Sequence, residues 1–159
     1  MRSNSGNNSF QSWSCYLKDT AVAGTCATVF SGIPSTLHAW LTGGNLIEAT
    51  RAAGAMLIAA ESSALQLFLA AALVHGSISL FWAATLTWLL PWHRTTLWAV
   101  AALAAVAVLD LRWIGLWFPE IRALPFWPQF ADHLAFGAIL GGVLEWRRRG
   151  RSSRRPNAW

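Results

Sequence analysis

The chain is 159 residues long, one domain's worth of material, with 55% hydrophobic residues and 12% charged ones, against about 25% charged in soluble proteins. That balance excludes an ordinary soluble domain with a charged shell and points to a polytopic membrane protein. The net charge of +5 is not a uniformly basic surface, because six arginines fall in the last thirteen residues.

Residues 1–18 (MRSNSGNNSFQSWSCYLK) are Ser/Asn-rich and lack a hydrophobic period, which predicts a disordered tail. A polar tail ahead of the apolar run is the wrong order for a cleaved signal peptide. Cys15 and Cys26 form no CxxC pair and read as free thiols, with neither a disulfide framework nor a zinc site.

A first span is predicted over residues 20–40. Gly24, Thr28 and Gly32 recur every fourth residue, beside a parallel row of Ala27, Ser31 and Ser35. Small residues at this spacing let membrane helices approach closely. Pro34 removes a backbone donor and predicts a kink near residues 30–32. Asn45 with Glu48 three residues on reads as a capping box opening a short helix over residues 46–60. That segment is too short to cross, and a break at residues 61–63 leaves it at the membrane surface or tucked against the bundle.

Residues 64–90 (ALQLFLAAALVHGSISLFWAATLTWLL) carry no ionisable side chain except His75. Roughly 20 apolar residues cross a bilayer core, so this run is a membrane span. A polar turn over 91–94 leads to a third span, 95–118, which carries Asp110 and Arg112 near its end. The segment PEIRALPFWP, residues 119–128, holds three prolines and predicts an interfacial loop. A last, short span is predicted over 130–146, with Gly137 and Gly141 four residues apart, and an Arg-rich tail over 147–159.

The arginines orient this arrangement. Arg2, Lys18, Arg94 and the C-terminal arginines share one side, which the positive-inside rule makes cytoplasmic. Trp88, Trp92, Trp98 and Trp146 then fall at the inner boundary, and Trp40, Trp113, Trp117 and Trp127 at the outer one, as an aromatic belt requires.

On this topology His38, Glu61, Asp132 and His133 lie near the outer boundary, Asp110 and Arg112 one to two turns deeper, and His75 near the midplane. Ionisable groups at such depth are costly and face an interior or a wet cavity, so the seven define a candidate outward-facing polar funnel for a cation, a proton or a small solute. Structural readings stand beside that one. Arg112 can snorkel to headgroups, and Asp110 can pair with a neighbouring helix. Asp132 can answer the dipole of its own helix, and His75 can bond a serine or a carbonyl. His38, Asp132 and His133 are also a conceivable metal set, but no HExxH-type spacing supports it, and no cofactor is expected.

No GxSxG elbow, Walker loop or GxGxxG is present, so no catalytic residue is assigned. The tail WRRRGRSSRRP reads first as an orientation signal, with anionic lipid as a contact and nucleic acid as the less favoured one. The strings FSGIPSTLHAWLTG, EATRAAGAML and ADHLAFGAILGGVL resemble those of a group of small bacterial multi-pass membrane proteins with no assigned activity. The resemblance implies a bacterial inner-membrane location and nothing finer. The sequence therefore predicts an all-α bundle of four transmembrane helices plus a short interfacial helix. Its first functional reading is a non-enzymatic accessory or interaction subunit, as a homo-oligomer or with a membrane protein partner, and its second is a small permease or channel.

Overall fold

The computed structural model describes residues 5–152, with side chains from 13 to 151. The described chain is all-helical. Its first helix, Ser5–Phe30 (α1), already includes residues expected to be a disordered tail; residues 1–4 of that tail lie outside the described part. The ladder of α1 ends where Ser31 N–H donates to the Ala27 carbonyl. The chain then restarts as Ile33–Thr42 (α2), with Pro34 in its first turn and Gly43 in the left-handed conformation behind it. The expected kink is thus a break between two helices, because proline is welcome at the start of a helix and not within one.

The short helix is Glu48–Ala55 (α3). Asn45 does not cap it as a box. Its Oδ1 instead accepts the Ile47 N–H two residues on, at 3.1 Å, the local turn asparagine favours over a distant cap. The capping box is at Ser63 and Gln66, which open Ala64–Leu89 (α4) after the break expected at 61–63. Gly54 lies so close to the Leu67 backbone that no side chain fits between them, so α3 is tucked against the first turn of α4.

The turn at 91–94 ends on Arg94, the one non-glycine positive φ among the described residues, and leads into Thr95–Arg112 (α5). A 3-10 turn, Ile114–Leu116, follows. The proline-rich segment is not an extended loop. Pro119–Ala123 forms a short helix (α6), and Phe126–Ser152 forms the last helix (α7), with Pro128 tolerated in its first turn. α7 therefore starts before residue 130 and continues past 146, through the first part of the expected Arg-rich tail.

Two helices, Ala64–Leu89 and Thr95–Leu116, are long and apolar enough to cross a membrane. Neither is the sealed core helix of a soluble fold, since only 33% and 28% of their most apolar stretches are buried. On α4, Leu65, Phe68, Leu69, Leu73, Leu80, Phe81 and Trp88 form a broad apolar face, each at least 58% exposed. All eight tryptophans of the expected belts are at least 52% exposed.

The inside is narrow and made of small residues. Ala23 and Ala27 of α1, Ala83 and Leu86 of α4, Ala99 and Leu103 of α5, and Phe136, Leu140 and Leu144 of α7 form one cluster. Glycines set how closely the helices meet. A Cβ built on Gly24 would stand 2.8 Å from the Ala83 Cβ, one on Gly137 2.8 Å from the Ala99 carbonyl, and one on Gly141 2.5 Å from the Thr96 Cα. Gly32, expected in the same role, meets nothing within 4 Å. The break at residues 31–32 turns it out of the contact. α7 runs antiparallel along the whole of α5, while α1 packs on both α4 and α7 and α2 continues along α7.

Candidate functional site

At one end of the bundle α4, α5, α7 and the junction between α1 and α2 converge on a cavity of about 140 Å³, whose lining includes Ser31, His75, Ser79, Asp110, Asp132 and His133. The packing of Gly137 and Gly141 on α5 fixes the register of α7, and that register places His133 opposite Asp110. His133 Nε2 lies 3.2 Å from Asp110 Oδ2, and its Nδ1 2.9 Å from the Gln129 carbonyl. A carbonyl only accepts, so Nδ1 carries a proton. The contact to Asp110 is then an imidazolium against a carboxylate, or a protonated carboxyl donating to Nε2. In both arrangements the pair is neutral as a unit and shares one proton.

Asp132, the residue before His133 on α7, points toward a different helix. Its Oδ1 accepts the Ser35 N–H at 2.9 Å, in the first turn of α2, where backbone donors are unsatisfied. Because α7 begins at Phe126, Asp132 lies well inside its own helix and answers the dipole of α2 rather than that of α7. The break before α2 has a second consequence. With the α1 ladder stopped at Ser31, the Thr28 carbonyl lacks its helical partner, and His75 Nε2 donates to it across the interface at 3.1 Å. Thr28 is thus a polar contact as well as a packing residue, its own hydroxyl donating back to the Gly24 carbonyl at 2.8 Å.

The funnel expected from the sequence is only partly assembled. His75, Asp110, Asp132 and His133 share the cavity. His38 is exposed on α2 and lines a separate depression with Glu48. Glu61 is exposed in the loop before α4. Arg112 is exposed, its guanidinium 4.8 Å above the Phe126 ring. The three miss the cavity for one reason: similar depth does not bring residues onto the same face. His38 therefore forms no set with Asp132 and His133, and among the described residues no three metal-ligating side chains are grouped to hold an ion.

The opposite end carries a second polar cluster, which sequence reasoning missed. Asp19, 4% exposed, accepts from Arg147 Nε at 2.7 Å and from Arg151 at 2.8 and 2.5 Å. Burial alone would raise the Asp19 carboxyl, but the hydrogen bonds and charges of Arg151 and Arg147 outweigh it and hold the carboxyl below its usual range. Arg148 is 7% exposed and donates to the Thr87 and Pro91 carbonyls and the Thr95 hydroxyl, closing the last turn of α4. Glu145 accepts the Thr96 N–H at 3.0 Å and caps α5. These arginines are thus built into the fold. The signal was present, since Asp19 follows Lys18, which the predicted topology puts on the side of the arginines.

Comparison with protein-family models, with curated proteins and with solved structures finds no match, so the site rests on its own geometry.

Proposed function

We propose that the protein is a non-enzymatic bundle of four transmembrane helices, in the bacterial inner membrane with both termini cytoplasmic, that takes a small polar solute from outside into the cavity at its outer end, as a permease does. The observation that carries this reading is that His75 and Asp110, on two different helices, line one common cavity rather than packed side chains. An accessory subunit held together by packing alone needs no such space. Four crossings are supported by alignment with α4 and α5, the two helices long and apolar enough to cross. α7 pairs with α5 from Asp110–His133 at one end to Thr96–Glu145 at the other. α1 and α2 cover the same depth, from Asp19 beside Arg147 to Ser35 beside Asp132. Toward the cytoplasm the cavity is closed by Leu103, Phe136, Leu140 and Leu144, which fits an outward-open resting state.

Thiol accessibility tests this reading. With Cys15 and Cys26 replaced by serine, Ser79→Cys should react with a membrane-impermeant thiol reagent added outside and not with one confined inside. No reaction from either side would return the cavity to a packed interior and favour the accessory reading.

A further inference from the structure

We infer that the cavity is a binding site for a compact monovalent ammonium-type cation, an inference that rests on the solute-binding reading above and names its ligand class. Charge gives the sign. The Asp110–His133 pair is neutral as a unit, and in its neutral form His75 donates through Nε2 to the Thr28 carbonyl and keeps Nδ1 as an acceptor. Asp132, its Oδ1 bonded by the Ser35 N–H, is the one carboxylate of the lining outside that pair, and a neutral His75 leaves it without a full counter-charge. A negative charge at this depth is costly without a counter-charge, and a monocation restores neutrality.

Unused hydrogen-bonding groups give the type of cation. Ser31 and Ser79 are 3% and 5% exposed, line the cavity, and have no hydrogen-bond partner for their hydroxyls among the described residues. Both hydroxyls face the cavity and are free to bond what it holds. Together with Asp132 and His75 Nδ1 they offer several acceptors around one space, which suits a donor with several N–H groups. Trp82 and Phe136 complete the wall, and an aromatic face attracts an ammonium or its alkyl carbons. The Phe81 ring meets Trp82 edge-on at 5.2 Å and helps to fix the indole. A bare metal ion would want three or more grouped ligands, and among the described residues none are so grouped. The volume of about 140 Å³ has room for ammonium or a short alkylammonium.

The test is calorimetric titration of the full-length protein in lipid nanodiscs with methylammonium chloride, and with sodium chloride at the same concentrations. Saturable binding is expected for methylammonium and not for sodium. Asp132→Asn should weaken it by about tenfold or more, since a charged hydrogen-bond partner is lost, and Glu61→Gln, outside the cavity, should leave it unchanged. Trp82→Leu, which leaves the Asp132–Ser35 contact alone, should also weaken binding and serves if Asp132→Asn melts early. Equal binding of sodium, or binding untouched in both cavity variants, would overturn the ammonium assignment. No methylammonium binding, with Ser79→Cys still reactive from outside, would refute the ligand class and leave the solute-binding reading standing; an unreactive Ser79→Cys would refute both.

Discussion

Adjacent glycines on α7 make opposite predictions, and the contrast isolates helix packing from everything else. A Cβ on Gly141 would stand 2.5 Å from the Thr96 Cα and 3.0 Å from the Thr96 nitrogen, while a Cβ on Gly142 meets nothing within 4 Å. Ordinary contact begins at 3.4 Å, so Gly141→Ala requires α7 to move about 0.9 Å away from α5. The obstacle is backbone, which cannot rotate aside as a side chain can. Overpacking of this kind costs about 1–3 kcal/mol. Both alanines share the same gain of about 0.5–1 kcal/mol over glycine in a helix, so the difference between them reports the contact alone. Thermal unfolding in mild detergent should place Gly141→Ala below wild type or level with it, and Gly142→Ala at or above wild type, with the pair separated by about 1–3 kcal/mol. Equal stabilities, or Gly142→Ala as the weaker protein, would show that α7 does not pack on α5 through Gly141 and would undo the register that brings His133 to Asp110.

Gly32→Ala should be tolerated like Gly142→Ala, because its Cβ also meets open space; a loss comparable to Gly141→Ala in the same melts would contradict the break at residues 31–32. Asp19→Asn should destabilise by about 2–3 kcal/mol, less than the ~3–5 kcal/mol of a fully buried broken ion pair, because Arg147 and Arg151 are 26% and 35% exposed and water can take them up. Its carboxyl is depressed on folding, so its contribution is full above the unfolded value of 3.8 and is lost as pH falls through the lower folded value. Melts below that pH should therefore converge for wild type and Asp19→Asn, and a constant gap would refute the pairing. Arg148→Met keeps the bulk but leaves the Thr87 and Pro91 carbonyls without their donor, at a cost of about 1–3 kcal/mol read from the same unfolding curves. Asp110→Asn should fold nearly as wild type because it can still meet His133, whereas Asp110→Leu strands the imidazole and should lose about 1–3 kcal/mol; equal melting of the two would show that the pair contributes nothing.

What was legible in the sequence was whatever depends on local pattern. The apolar run around His75, the break before Ala64, the turn at 91–94 and the glycines on α7 follow from hydropathy, breakers and spacing. Azimuth was not legible. Depth along a helix follows from counting residues, but which face His38 or Arg112 presents depends on how the whole bundle is rotated, so three of the seven expected funnel residues lie elsewhere. The arginines after Trp146 misled for a related reason. A run of arginines looks like a solvated tail until its partners are known, and those partners, Asp19, Thr87 and Pro91, lie 57 to 132 residues away in sequence. Pro128 reads as a helix breaker in the sequence, although in a first turn it replaces only a donor that no helix uses.

The proposed cavity opens on the far side from the arginines only if α7 and the paired α1 and α2 cross the membrane beside α4 and α5, the two helices long and apolar enough to do so. Reporter insertions at three positions measure this directly: in the turn at Trp92, after Ser152, and at Leu124 between α6 and α7. Four crossings predict cytoplasmic signals at the first two sites and an external signal at Leu124. A cytoplasmic signal at Leu124, or an external one after Ser152, would contradict the topology and with it the outward-facing site.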